Sequence, residues 1–478
     1  MGTQNVIFGG GQASGLDELS GASPVSMNVI LDQAGAIRRR PGISAFSNLY
    51  TGVIDPLGLV GLYSTYGGAL YAVANGLAYR PVYKVNLANA SRLSSTVATG
   101  LPGSGRPVFA ETQAILAIAG GDAIQKVLLA SPGVNCSRLG GEPPMASHVI
   151  SNSQRLLSND SLDLSRIKFS ETSSGSAYSG HESWTTGDSG YFNAEARADN
   201  VVAVHELAGE VYLFGSSTIQ VWGTNPSSAY APTITNEQGL SAAYGVVRTD
   251  NSFAYPDDRR RFVMTNGRSQ ENIGKAIQST LDGVSNWANM FGYRVFAGQT
   301  DCLVWTVPGD RTFVHQIGGG WSEWSGWDGQ NWTPFTVNCH AYMPLTQTNA
   351  VGTLDGKVGY LDPLAQTDLG TPIHAYAETG FMSGGTLKRK RNKSVTLMFR
   401  WTTGFTTDQA LGLLSWRDNL GEWNPPIQID LSLSQEPNPV IVLRSLGVYR
   451  TRQWRFSFAG AAPYLLAKAI EEVDVLEN

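Results

Sequence analysis

Short apolar strands that end in a two-residue turn recur along this chain at a spacing in the forties, and that period constrains the fold more than any other feature of the sequence. The clearest copy is Val211-Tyr212-Leu213-Phe214-Gly215-Ser216-Ser217-Thr218-Ile219-Gln220-Val221-Trp222. Positions 211–214 are an apolar run, Gly215, Ser216 and Ser217 are turn formers, and from Thr218 the side chains alternate. Strand side chains alternate faces and small residues tolerate the turn, so this stretch is a β-hairpin. Similar runs lead to Asn75-Gly76, Gly120-Gly121, Asn266-Gly267, Gly309-Asp310 and Asp355-Gly356. Counted from the second residue of each turn, the gaps are about 45, 96, 50, 43 and 46 residues. The gap of about 96 is twice the others, which places a hidden copy near residues 156–169, with its turn at Asn159-Asp160. A period in the forties with several short strands per copy is the signature of a β-propeller, whose blades cannot bury both faces alone and stack around an axis. The count predicts about seven blades.

The chain reads as all-β, with an extended N-terminal arm over residues 1–55, a β-propeller over 56–370 and a β-sandwich-like module over 371–478. Gly9-Gly10-Gly11 and Gly15 argue for the arm. With 54 glycines, 42% hydrophobic and only 15% charged residues, the composition suits many turns around a sizeable core. Polar stretches at 170–193 and 225–245 predict long loops on one rim. Residues 269–289 carry Ile273, Ala276, Ile277, Leu281, Val284 and Trp287 at helical spacing, which predicts a short helix inserted in a blade. Past about residue 370 the period is lost. Strands at 373–377, 394–400, 411–416, 427–433, 453–458 and 470–475 predict the terminal module.

The residues that carry chemistry are few. The chain has no G-x-S-x-G, no H-E-x-x-H and no phosphate-cradling loop. Its six histidines are scattered, and Cys136, Cys302 and Cys339 read as small buried hydrophobes rather than a disulfide framework. Cys339 and His340 are strand neighbours facing opposite ways, which makes a poor chelate. The expectation is a protein with no enzymatic activity, no metal and no cofactor. The start has neither the basic region nor the apolar core of a leader, and no apolar run is long enough to span a bilayer, so no membrane insertion is expected. A net charge of -5 gives no general reason for wrapping nucleic acid.

Two kinds of cluster remain. Lys388, Arg389, Lys390, Arg391 and Lys393 form the strongest charge run, and Arg38, Arg39 and Arg40 precede a Pro41-Gly42 turn. Each is a solvated face or a docking patch for an acidic partner or DNA. Trp321, Trp324, Trp327 and Trp332 are the richest aromatic cluster. Packing between blades is the commoner cause of such a cluster, with protein contact or a sugar platform as alternatives. Arg259, Arg260 and Arg261 lie near Tyr255 in the manner of a sialidase site, but consecutive strand residues cannot all face one pocket.

The order of several segments resembles the packaged-DNA stabilisation proteins of short-tailed bacteriophages, also called tail accessory, tail hub or nozzle proteins. The resemblance is carried by Phe192-Asn193-Ala194-Glu195-Ala196-Arg197-Ala198-Asp199 followed by Leu213-Phe214-Gly215-Ser216-Ser217-Thr218-Ile219-Gln220. Family members usually have an acidic residue where this chain has Gln220. Residues 37–43 are similar to the family's N-terminal Arg-plus-Pro-Gly-Ile segment. Ser415-Trp416-Arg417-Asp418-Asn419-Leu420-Gly421-Glu422-Trp423 and Ser445-Leu446-Gly447-Val448-Tyr449-Arg450-Thr451-Arg452-Gln453-Trp454 are similar to consecutive runs near the end of nozzle proteins. The resemblance implies a structural virion protein, made in the bacterial host cytoplasm and placed in the tail. It implies a homo-oligomeric ring, a hexamer, below the portal and adaptor proteins. Such a ring extends the channel for packaged double-stranded DNA, retains the genome and docks a tail needle or nozzle plug and tailspikes or tail fibres. In such a conduit the basic clusters at 38–40, 259–261 and 388–393 should lie mostly away from the wall, because each neutralised phosphate adds a salt-sensitive attraction. The rival reading from another class is a carbohydrate-binding or carbohydrate-processing propeller, in which the tryptophans would face an open pocket with paired carboxylates.

Overall fold

A computed structural model of the chain describes residues 2–8, 26–31, 36–46, 58–76, 80–85, 96–130, 136–175, 177–194, 197, 199–298, 300–401, 410–432, 436–460 and 462–476. It is nearly all β. Five four-stranded antiparallel sheets cover residues 59–101, 108–138, 149–193, 201–236 and 247–272, and a sixth, small sheet is built on Val337–Met343, Thr348–Thr353 and Val358–Asp362. These six stand in a ring as propeller blades. Between the fifth and the last of them stand four more strands, Phe291–Ala297, Thr300–Thr306, Thr312–Gln316 and Trp321–Trp327, which begin a ten-stranded sheet. The blade count is close to the expected one. The hidden copy is real: Arg155–Asn159 pairs with Arg166–Phe169 across the Asn159-Asp160 turn. One turn differs in kind from the rest. Asn266-Gly267 joins the third and fourth strands of its blade, whereas the turn equivalent to the others lies at 257–261.

The ring is held by apolar faces pressed between neighbouring blades. Tyr71, Val73 and Val82 pack on Leu116, Ile118 and Val127, all buried. Phe214 meets Phe253 and Tyr255 edge-on at 5.6 and 5.4 Å. Phe262 stacks on Trp305 and Trp321 at 4.3 and 5.2 Å. Full burial of one such aromatic is worth about 1.5–3 kcal/mol, and edge-to-face pairing adds about 1.

The N-terminal stretch is not an arm where it is described. Gly2–Asn5 pairs with the long C-terminal strand Tyr464–Val475, and Val29–Leu31 and Ile37–Arg39 join the same sheet. Gly42–Ser44 becomes the fourth strand of the last blade by pairing with Val358–Asp362, and Thr367–Asp368 pairs with its other edge. Ring closure therefore uses a strand from the other end of the chain. The reason is burial: Val6, Phe8, Val29, Leu31 and Ile37 are all in the core of the terminal module.

That module is a sandwich. One sheet carries Lys390–Trp401, Tyr464–Val475 and Val440–Arg444. The other is the continuation of the ten-stranded sheet, through Ser26–Met27, Ala375–Glu378, Arg452–Gly460, Ala410–Asp418 and Ile427–Asp430. Leu397, Phe399, Trp454, Phe456 and Leu466 fill the space between. Backbone hydrogen bonds thus run unbroken from a propeller blade into the sandwich. The expected long loops are only partly loops, since Gly190–Asn193 and Ala229–Asn236 are outer blade strands. The short helix is present as Gln278–Leu281, between the fifth blade and the strand Phe291–Ala297.

Candidate functional site

The structure sorts the residues singled out from the sequence into seams, cores and surface. Arg40 is 1% exposed. All five of its N–H groups are used: Nε donates to Asn28 Oδ1 at 2.9 Å, Nη1 to Pro41 O at 3.0 Å and Asp368 Oδ1 at 2.9 Å, and Nη2 to Ser325 O at 3.2 Å and Asp368 Oδ2 at 2.5 Å. Arg39, also buried, donates to the Ala459 and Gly460 carbonyls, and Arg38 donates to Ala297 O at 2.6 Å. The docking expectation for Arg39 and Arg40 is corrected. These arginines stitch the N-terminal strand to a blade and to the sandwich, because a planar five-donor group matches converging carbonyls and a carboxylate.

The run at 388–393 divides by strand alternation. Lys390 points inward and is 1% exposed, with Nζ donating to Thr386 O and Lys388 O. A buried Lys390 cannot dock a partner, which corrects that member of the set. Lys388, Arg389 and Arg391 are exposed, and Lys393 pairs with Asp474 at 3.3 Å. Arg450, also exposed, donates to Leu387 O at 2.9 Å and joins this surface.

The tryptophans serve cores and a junction. Trp321 stacks between Phe262 and His315 and donates Nε1 to Ile273 O at 2.9 Å. Trp324 is 1% exposed against Phe335. Trp327 stacks on His374 at 4.5 Å, and Trp332, the most open at 38%, meets Trp327 and Tyr376. These contacts join the Trp321–Trp332 region to the sandwich.

Two internal arrangements had no signal in the sequence. In the sandwich, Glu471 is fully buried and accepts from Tyr449 Oη at 2.6 Å, Asn392 Nδ2 at 2.8 Å, Gln4 Nε2 at 2.8 Å and Trp454 Nε1 at 3.4 Å. Arg452, equally buried, pairs with Asp418 at 2.6 Å and lies 3.9 Å from Glu471. At the propeller axis, side chains from different blades and linkers meet where the linkers enter. Arg106 lies 3.6 Å over the Phe291 ring and donates to Asn338 O and Oδ1. His148 stacks on Tyr244 at 5.2 Å and hydrogen-bonds Ala243 O at 3.1 Å. Burial pushes the His148 imidazole down to about 4. A cavity of about 290 Å3 is lined by Tyr63, Arg248, Arg294, His340 and Tyr342 among others. A larger cleft of about 710 Å3 lies between the first three blades. Burial raises the Cys302 and Cys339 thiols to about 12, as suits inert packing residues. Among the described residues no group of His, Cys, Asp and Glu is placed to hold a metal ion, and no helix is long and apolar enough to cross a membrane.

Fold and surfaces together define a β-propeller fused through one continuous sheet to a β-sandwich, with buried charges in structural seams and an exposed basic surface at Lys388, Arg389 and Arg391. No protein-family model matches the chain, and no curated protein matches it in sequence. Among solved structures it is similar to a chain of the "Crystal Structure of Mitotic Checkpoint Complex", at 13% identity, over 65% of this chain and 92% of that one, with a TM-score of 0.40.

Proposed function

We propose that the chain is a structural virion protein, a tail hub or nozzle subunit that assembles as a ring below a phage portal and adaptor and docks the tail's distal parts. One observation carries this reading: the segments on which the resemblance rests meet pairwise in space. Asp199, the end of the first segment, holds the Gly215–Thr218 turn of the second. Its carboxylate accepts from Ser216 N at 2.8 Å, Ser217 N at 3.0 Å, Thr218 N at 2.7 Å and Thr218 Oγ1 at 2.9 Å. The two C-terminal segments meet the same way. Arg452 pairs with Asp418, Asn419 Oδ1 accepts from Arg450 N and Thr451 N, and Trp416 packs on Trp454. The segments that carry the resemblance are thus packed on one another in this chain and not only ordered along it.

Two further features support the reading. Arg39, Arg40 and Arg261 are engaged within the chain, Arg261 through Asp257 at 2.5 Å, whereas Lys388, Arg389 and Arg391, like Arg259 and Arg260, are exposed; the first three, close in sequence, offer a basic surface for an acidic neighbour. Arg106 packs on Phe291 and His148 on Tyr244 between the blades, and on this reading a DNA conduit runs between subunits and not through one. The rival sugar-binding role of the Trp321–Trp332 cluster loses its motive, because Trp324 is buried and Trp327 is stacked on His374.

The test is electron microscopy of the purified full-length chain, alone and mixed with the portal and adaptor proteins encoded with it. A ring with a central hole of duplex width is expected in at least one of the two samples. A monomer in both, at concentrations of about 10 μM, overturns the proposal.

A further inference from the structure

We propose that the cleft between the first three blades binds a neutral oligosaccharide. This inference does not depend on the virion reading, since a ring subunit and a free propeller could both carry it. The cleft, about 710 Å3, opens where the turns after the first strands of three blades stand side by side. That volume lies within the range of small-ligand sites.

Three observations point to sugar. The first is Tyr66, 81% exposed at the tip of its turn. The turn is braced: Gly68 N donates to Thr65 O at 2.9 Å and Ala69 N to Thr65 Oγ1 at 3.1 Å. Both carboxylate oxygens of Glu111, on the next blade, accept from Tyr66 N at 3.1 Å, and Tyr63 Oη donates to the same carboxylate at 3.1 Å. An aromatic face held out on an ordered turn is a stacking platform for a pyranose ring, and little loop freedom is left to lose on binding. The second is the rest of the lining. Gln113, Ser151 and Gln154 offer amides and a hydroxyl that both donate and accept, as vicinal sugar hydroxyls require. The third is His181. It lines the cleft at 2% exposure, and its Nδ1 is buried with no hydrogen-bond partner among the described residues. Buried polar atoms in native structures are paired, and a ligand hydroxyl would pair this one.

Charge sets the class of sugar. Among the described residues no Lys or Arg lines the cleft, and the one carboxylate is Glu111, which burial raises above its ordinary value against the opposing effect of its hydrogen bonds. An acidic saccharide would meet a carboxylate and no cation, so uronate and sialate ligands are disfavoured.

The test titrates the full-length chain calorimetrically with neutral oligomers of glucose, mannose, galactose and N-acetylglucosamine. A second arm sediments the chain with cellulose, mannan and chitin. Oligogalacturonate and sialyllactose are the acidic controls. At least one neutral sugar should bind below about 1 mM. Tyr66→Ala should weaken it about tenfold or more and Gln113→Ala should weaken it as well, while Tyr66→Trp should keep it. Binding of soluble oligomers identifies a free saccharide as ligand, and binding to polymer alone identifies a surface polysaccharide; both support the proposal. It is overturned if no neutral sugar binds in either arm, if an acidic control binds as tightly, or if Tyr66→Ala leaves affinity unchanged. Both substituted side chains are exposed, so circular dichroism should be unchanged in every variant. Ring formation by Tyr66→Ala, followed by microscopy, reports on the virion reading separately.

Discussion

Replacing Arg40 by methionine should loosen the ring at the strand that closes it. The side chain keeps an apolar stem but loses the guanidinium, which now sits 4.6 Å over the Phe335 ring. It loses five hydrogen bonds, two of them to Asp368, which is left with 14% side-chain exposure and no cation. Breaking a buried ion pair by removing one partner costs about 3–5 kcal/mol, because the remaining charge is stranded. Asp368 retains some access to water, so the lower end, about 3 kcal/mol, is expected. Asn28 Oδ1 is not orphaned, since Ser325 N still donates to it at 2.8 Å. Urea unfolding followed by tryptophan fluorescence measures the loss. Hydrogen exchange locates it, with faster exchange expected over Gly42–Ser44 and its partner Val358–Asp362 and little change over Lys390–Trp401. If the stranded carboxylate is the cause, the double variant Arg40→Met, Asp368→Leu should recover about 2 kcal/mol. A loss under about 1 kcal/mol in the single variant, or a double variant as weak as the single, would refute the reasoning.

Three other outcomes are expected. Glu471→Gln leaves one acceptor oxygen where four donors converge, and should cost about 3 kcal/mol, read as an early urea transition with Tyr464–Val475 losing exchange protection. His148 has a folded pKa of about 4 against 6.5, so below pH 6.5 the unfolded chain binds a proton that the native chain does not. Stability is therefore full above pH 6.5 and lost as pH falls toward 4, by about 3 kcal/mol from this residue. Urea midpoints across that window should fall less steeply in His148→Phe than in the wild type, and equal slopes would contradict the assignment. Burial alone would raise the Asp199 carboxyl, but hydrogen bonds from Ser216, Ser217 and Thr218 outweigh it and hold the group below its usual value. Asp199→Ala should accordingly cost about 2–4 kcal/mol by urea denaturation, whereas exchanging exposed Lys388, Arg389 and Arg391 for Gln should change the midpoint little and slow any salt-sensitive assembly.

The propeller was legible because its cause is local. Each blade needs a tight turn after an apolar strand, and residues such as Gly121 and Gly356, at φ of 95° and 80°, announce those turns in the sequence itself. The Asn266-Gly267 turn belongs to a different pair of strands, yet the count came close, because that blade still supplied a turn signal within its own span. What the period could not carry was any pairing between distant parts of the chain. Nothing local marks Gly42–Ser44 as the fourth strand of the last blade, or Gly2–Asn5 as a partner of Tyr464–Val475; those pairings depend on which exposed strand edges remain when the ring and sandwich come together. The same limit governs the charged residues. Alternation along Lys390–Trp401 predicts that neighbours face opposite ways, but which face is covered depends on the second sheet, so Lys390 is interior and Arg391 is not. Arg40 looked like a surface cation because arginine is seldom buried, and only the convergence of nearby Asn28 with distant Ser325 and Asp368 makes its burial favourable. Sequence by itself thus determined the repeating unit and its turns, which are set by interactions within a few residues. The tertiary structure alone decided ring closure and the fusion to the sandwich, because those rest on contacts between residues hundreds of positions apart.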